Sequence, residues 1–322
     1  DRRTIAARAA GADERVMKAA VIGVGHLGRH HARILASLPG VSLAGVVDIN
    51  KDRAAKIAAE YGTTAFGDAR EIAGLDVAVI ATPTESHSAI AQPLIESGVH
   101  TLIEKPVTQT LAEADALIAA ARRSGAVLAV GHSERFNPAV AAARPYVNDP
   151  RFIEVHRLGT QLGRSLDIDV VLDLMIHDLD LILSMVPSEV ESVEAVGVPV
   201  LTPKVDIANA RVRFKNGCIA NLTASRISRD QIRKIRFFQR ERYVSIDTAA
   251  REVEMYRVEP RDGGPATIGG GKLAVPGDEP LKGELEDFVR AVRERRAPAV
   301  PGEQGRAALA LAVRIVELMA EQ

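Results

Sequence analysis

Ala19-Ala20-Val21-Ile22-Gly23-Val24-Gly25-His26-Leu27-Gly28, with Asp48 twenty positions after Gly28, decides the fold of this chain. A short apolar run meets a Gly-x-Gly-x-x-Gly turn, a helical stretch (28–38) follows, and a second apolar run, Leu43 to Val47, ends on the acidic residue. Alone the glycine pattern also fits a turn in an unrelated α/β protein. Between a strand and a helix, with the acid at this distance, it reads as a dinucleotide fingerprint. Gly23 permits the tight turn, Gly25 lets the backbone approach a pyrophosphate, and Gly28 lets helix and strand pack closely. The helix N-terminus faces the phosphates. Asp48 accepts hydrogen bonds from a ribose 2′-hydroxyl and repels a 2′-phosphate, so NAD is expected over NADP.

Working outward, Val77 to Ala81, Val99 to Ile103 and Val127 to Val130 are further short β-branched runs. Ala-rich helical stretches at 51–60, 86–97 and 111–123 separate them. This βαβ alternation predicts a doubly wound parallel sheet over 17–137. After Asn137-Pro138 the pattern changes to period 2, as in Ala208 to Phe214. Strands are expected at 151–156, 190–198, 218–225, 232–238 and 243–246, with helices over 171–185, from Leu281, Leu285 and Phe288 onward, and over 306–320. The reading is an α+β domain, 138–322, with a largely antiparallel sheet used for substrate binding and oligomerisation. Gly263 to Gly271 reads as a loop. Residues 1–16 read as a disordered extension, because Met17-Lys18 directly precedes the first strand.

With 41 Lys plus Arg against 42 Asp plus Glu, the overall charge gives no reason to expect nucleic acid or an anionic membrane as partner. Aromatics at 3% and no Trp leave few stacking platforms for bases. The single cysteine, Cys218, excludes an intramolecular disulfide and a thiolate metal cluster, and fits a reducing compartment, the cytoplasm. No apolar run reaches the roughly 20 residues that span a bilayer.

Two constellations carry chemistry. Glu104-Lys105-Pro106 follows an apolar run, which places Lys105 at the carboxyl end of a parallel strand, where open α/β sheets hold ligands. Asp173 and His177 are four apart in an apolar helical stretch, with Asp169 and Asp180 extending the stripe. Such a carboxylate favours the imidazolium and orients a ring that takes a hydroxyl proton. A solvated helix face gives the same spacing, and Lys105 also suits a phosphate contact beside a rigid Pro106 turn. Oxidising a secondary alcohol needs a base, a hydride acceptor and positive charge near the oxygen. His177, NAD and Lys105 supply them without Zn²⁺. No metal is expected: His26 and His30 at i and i+4 lack a third ligand.

With these residues in place, the chain from Met17 onward resembles the Gfo/Idh/MocA family of NAD(P)-dependent sugar and cyclitol oxidoreductases. Gly23 to Gly28, including His26 and Leu27, looks like its dinucleotide loop. Thr82, Pro83 and His87 look like its second cofactor segment, and Glu104-Lys105-Pro106 like its signature tripeptide. Asp173 and His177 match its substrate-binding aspartate and catalytic histidine. Many members carry glycines where this chain has Asp167-Ile168-Asp169 and Met175. That departure, with the segment Gly131 to Pro138, is similar to the subgroup of UDP-N-acetylglucosamine 3-dehydrogenases. The resemblance implies that Lys105, His132, Glu134, Arg135 and Asn137 bind substrate with Asp173 and His177. It further implies a 3-keto nucleotide sugar that an aminotransferase consumes, and a homodimer or homotetramer. A cluster of cations from Arg226 to Arg242 suits a diphosphate, though a solvated sheet face or a subunit interface explains it at least as well. The alternatives are a free-sugar or inositol dehydrogenase, an NAD-dependent glycosidase, and a non-catalytic NAD-binding regulator.

Overall fold

The structure, a computed structural model, describes residues 15–160, 168–261, 265–277 and 279–321. Most of the expected extension, Asp167 and Gly263 lie outside these residues.

The first unit alternates β1 (Met17–Ile22), α1 (Gly28–Ser37), β2 (Val41–Val47), α2 (Lys51–Tyr61), β3 (Ala65–Phe66), β4 (Val77–Ile80), α3 (His87–Glu96), β5 (His100–Glu104), α4 (Leu111–Ser124) and β6 (Leu128–Gly131). All six strands run parallel in the order β3-β2-β1-β4-β5-β6. Ala19 to Val21 and Val77 to Ile80 are fully buried, which is why these strands read as continuous apolar runs. The order reverses between β1 and β4, and this switch point opens a crevice at their carboxyl ends.

Helix caps differ in a way that matters for the crevice. Asn50 caps α2 by accepting from Arg53 N at 3.0 Å, and Thr110 with Glu113 forms a capping box on α4. The N-terminus of α1 has no side-chain cap and no acidic residue in its first turn, so its N–H groups stay available to an anion. Gly28 is fixed by contact: a Cβ there would lie 1.8 Å from the Gly23 carbonyl oxygen. Gly28→Ala must therefore push α1 off the turn. It is expected to cost about 1–3 kcal/mol in urea unfolding and to weaken NADH binding in a fluorescence titration.

The second unit begins with α5 (Pro138–Ala143) and β7 (Pro150–Thr160), then a π-helical turn, Val171–Met175, that runs into α6 (Ile176–Met185). β8 (Val190–Val198), β9 (Ile207–Phe214), β10 (Ile219–Ser225), β11 (Ile227–Gln239), β12 (Arg242–Asp247), β13 (Glu252–Glu259) and β14 (Thr267–Lys272) follow. The eight strands order as β14-β13-β12-β11-β7-β10-β9-β8, antiparallel except for β7 with β10. One face buries Phe214, Ile235 and Phe237 against Ile176, Leu179 and Ile182 of α6 and against α8 (Gly302–Ala320).

Three expectations need correction. The stretch expected as a Gly-rich loop contributes most of β14: Gly270 packs so closely on β13 that a Cβ would meet Met255 O at 2.0 Å. Glycines carry no alternation to read. The helix expected over 171–185 is π-helical in its first five residues. Finally, α7 (Pro280–Glu294) follows the second sheet in the chain yet buries Leu281, Leu285, Phe288 and Val289 among residues of β1, β4 and α1. The segment after it pairs with β6, Val130 N donating to Val300 O at 3.0 Å.

Candidate active site

The turn after β1 is locked to its neighbours. Gly23 sits at φ +83°, and any Cβ would approach Ala81 and Thr82 to 2.8 Å. Asp48 accepts from Val24 N at 3.0 Å and from Asn50 N at 2.8 Å, so the acid that ends β2 also holds the glycine loop. Arg53 Nη1 lies 3.3 Å from the same Asp48 oxygen that accepts from Val24. Gly25 has only Arg53 Nη1 near its missing Cβ, at 3.7 Å, which leaves open space beside the uncapped end of α1. A cleft of about 280 Å³ continues past Gly23, Asp48, Ile49, Thr82 and Ile90. A bare backbone turn, an uncapped helix end and a carboxylate at the far strand fit the pyrophosphate and ribose of a dinucleotide. His26 and Leu27 are exposed beside this turn.

His87 is placed differently from the reading as a cofactor residue. It is 1% exposed, and its ring nitrogens face Pro106 O at 3.0 Å and Thr82 O at 2.9 Å. It joins the two loops instead of offering an atom to a ligand. Glu104 is likewise turned inward, with Oε1 2.7 Å from His31 Nε2. The peptide bond that follows, Lys105-Pro106, is cis.

Lys105 leaves β5 toward the second unit. Its ammonium donates to the Asp173 carbonyl at 2.5 Å and lies 3.6 Å from the Asp173 carboxylate. Burial lowers its pKa, while Asp173 and Glu104 counter that. His177 lies one turn further along, its ring edge-on to His132 with centroids 6.2 Å apart. The expected pairing of Asp173 with His177 is absent among the described hydrogen bonds: the π turn and Lys105 take Asp173 elsewhere. His177 Nδ1 has no partner among the described residues. Burial pushes its pKa well below the ordinary imidazole value, and Lys105, Arg157, His132 and Arg233 push the same way. The ring is therefore a neutral proton acceptor, not the imidazolium that a neighbouring aspartate would favour.

The segment read as substrate-binding is mostly structural here. Arg135 makes a bidentate pair with Asp180 at 2.5 and 2.8 Å. Glu134 accepts from Arg157 at 3.1 Å, and Asn137 caps α5 while donating to Thr248 O at 3.0 Å. His132 is 1% exposed, and neither ring nitrogen has a described partner. Arg157, which sequence reasoning missed, holds Asp178 through two bonds of 2.8 Å. Lone arginines in strands give no signal of this kind before the sheet register is known.

A buried cluster behind Lys105 leaves no local mark in the sequence. His31 of α1, Glu104 of β5 and Glu284 of α7 each bring a ligand-type atom within 4.8 Å of the others. The 2.7 Å contact of His31 with Glu104 is shorter than the ~3.3 Å separating two ligands of a tetrahedral ion with bonds of about 2.0–2.1 Å, and is a hydrogen bond. Both Glu284 oxygens lack a described partner. Burial raises its pKa well above the ordinary carboxyl value, helped by the charges of Glu104 and Asp180. A neutral Glu284 in the folded state and an ionised one in the unfolded chain mean that unfolding releases a proton at neutral pH. Stability then falls as pH rises from the usual carboxylate range toward the raised value. Glu284→Gln, which cannot ionise, is expected to raise Tm by about 2–4 °C at pH 8 and by less at pH 5. Equal shifts at both pH values would count against a neutral Glu284.

A family model described as an oxidoreductase family with an NAD-binding Rossmann fold matches residues 17–132. The Gfo/Idh/MocA C-terminal domain matches residues 154–241. Among curated relatives, UDP-N-acetylglucosamine 3-dehydrogenase of Acidithiobacillus ferrooxidans is 42% identical over 311 residues, covering 93% of this chain and 96% of that protein. The scyllo-inositol 2-dehydrogenase (NAD(+)) of Bacillus subtilis is 30% identical, covering 67% and 69%. A solved structure of the Acidithiobacillus enzyme superposes with a TM-score of 0.88 at 41% identity, covering 94% of this chain and 97% of that one. Levoglucosan dehydrogenase in complex with NADH shares the fold, with a TM-score of 0.84 at 20% identity over 95% and 97% of the two chains.

Proposed function

The chain belongs to the Gfo/Idh/MocA family of NAD-binding oxidoreductases, and on that premise we propose that it oxidises the 3-hydroxyl of UDP-N-acetylglucosamine to a ketone. The observation that carries this reading is the pairing of a neutral His177 with the Lys105 ammonium at the carboxyl end of β5, beside the dinucleotide crevice. His177 accepts the hydroxyl proton. Lys105, held by Asp173, stabilises negative charge developing on the same oxygen. Bound NAD supplies the hydride acceptor. Asp48, the glycine turn and the open end of α1 hold it, and His87 positions the Thr82 loop against the Lys105 turn. The working division is residues 17–137 with α7 for the cofactor and the remainder for the substrate. Likeness at 42% identity across 93% of the chain supports the nucleotide sugar over inositol.

The test is incubation with NAD and a panel of UDP-sugars, free sugars and inositols, following NADH absorbance and product mass. Loss of 2 Da from UDP-N-acetylglucosamine, oxidation removing two hydrogens, is the expected result. An aminotransferase is included to draw off the keto product, and turnover of a free polyol alone would overturn the substrate assignment.

The open face of the second sheet carries a row of rings across four strands: Phe152, Phe238, Tyr243 and Tyr256, with centroid spacings of 5.6, 5.2 and 6.3 Å. Phe238 is 37% and Tyr256 39% exposed. This row supports a homo-oligomer, dimer or tetramer, built on that face. A light-scattering mass equal to one 34.4 kDa chain would remove it. No helix among the described residues is long and apolar enough to cross a membrane, which is compatible with a cytoplasmic enzyme.

A further inference from the structure

Resting on that substrate reading, we infer that Arg233 recognises the phosphate next to the sugar and so sets the preference for a nucleoside diphosphate sugar over a free sugar. The cations of 226–242 separate by position. Arg226 is 1% exposed and lies 3.8 Å from Asp206, so it is part of the interior. Lys234 and Arg236 point to the open face, where Asp247 at 3.7 Å and Glu154 at 2.6 Å pair with them. Arg242 donates to Tyr146 O. Arg240 sits at the β11–β12 turn, at the end of β11 remote from Thr160, and Arg229 in the irregular stretch of β11.

Arg233 stands directly opposite Arg157 in the antiparallel register of β11 with β7, so both share the face of Ile235 and Phe237, toward the helix that carries His177. It is exposed, and while its backbone carbonyl accepts from Thr248 N at 2.9 Å, its guanidinium has no hydrogen bond or ion pair among the described residues. With Arg157, Thr160, Leu174, Ser225 and Gln231 it lines a cavity of about 150 Å³, the size of a small anionic group with its first waters. The neighbouring carboxylates are already engaged, Asp178 twice by Arg157 and Glu134 by Arg157 and Asn137. Among the described residues the Arg233 guanidinium thus forms no close ion pair, although its charge acts favourably on buried Asp178. In a sugar whose 3-hydroxyl meets His177, the anomeric carbon stands two ring positions from the reacting carbon, so the attached phosphate lies close to that site, and Arg233 is near enough for its charge to act on the His177 ring. A guanidinium forms two parallel bonds to such a group, which an ammonium does not.

The experiment measures KM for UDP-N-acetylglucosamine at pH 8 and the Kd of UDP by calorimetry, in the wild type, Arg233→Ala, Arg233→Lys and Lys234→Ala. Arg233→Ala should raise both constants about tenfold to a hundredfold, with a smaller fall in kcat. Arg233→Lys should recover part of the loss, and Lys234→Ala, on the other face, should leave both constants at their wild-type values. If the wild type uses UDP-N-acetylglucosamine and Arg233→Ala matches it in both constants, the assignment of Arg233 is wrong while the substrate stands. If the wild type neither binds UDP nor oxidises the nucleotide sugar, the substrate reading falls and the assignment falls with it.

Discussion

His177→Ala is expected to lower kcat about 10²–10⁴-fold, the range for loss of a general base. Electrostatics as well as geometry makes His177 the base. Every group shown acting on the ring, burial together with Lys105, Arg157, His132 and Arg233, disfavours its protonated form. A base held neutral this way keeps accepting protons well below the ordinary imidazole pKa of about 6.5, so the acid limb of kcat/KM should lie below that value. Lys105→Ala removes both a cation facing the ring and the donor to the reacting oxygen. It is expected to cost about 10²–10³ in kcat and to move the acid limb upward. Stopped-flow NADH formation across pH checks both, and full turnover in both variants would sink the mechanism.

Arg157→Ala is expected to destabilise the fold by about 3–5 kcal/mol in urea unfolding, because it strands Asp178 without its partner. Asp178 is 2% exposed and receives two bonds from that guanidinium, and Glu134 loses a third. Replacing both members with apolar residues, Arg157→Met with Asp178→Leu, should recover much of the loss, since an unpaired buried charge costs more than an absent pair. If the single and double variants unfold at the same denaturant concentration, the ion pair is not what holds this region. The pair matters to catalysis indirectly: Asp178 adjoins His177 in the chain, so its anchoring fixes the start of α6.

Sequence patterns reached the parallel sheet almost element by element because buried strands, glycine turns and capped helices all leave local marks. Asp48, Lys105 and His177 stood out as candidates for the same reason, each standing at a fixed offset from a strand end or on one helix. The rest depended on distant partners. The destination of Asp173 is set by a π turn and by Lys105, 68 positions away. Arg135 and Glu134 look available in a polar segment, and only the folded chain shows that Asp180 and Arg157 occupy them. β14 has too few side chains to show a period, and β13 carries charges at Glu252, Glu254 and Arg257 that masked the buried Val253 and Met255. Glu104 acquires its surroundings, His31 and Glu284, from helices that a linear reading assigns to separate parts of the protein.

The return of α7 to the first sheet orders events during synthesis. Residues 17–137 leave the ribosome with the surface beneath Leu285 and Phe288 bare and the Val130 N–H unpaired, and the chain that covers both arrives only after residue 280 has been made. The nucleotide lobe is thus begun first and finished last, with the whole substrate sheet built in between. A nascent chain arrested before α7 should expose apolar surface and be captured by chaperones, whereas the released full chain, with α7 and α8 both seated on the lobe, should be protease-resistant. Cofactor binding would then report completed synthesis of both lobes at once.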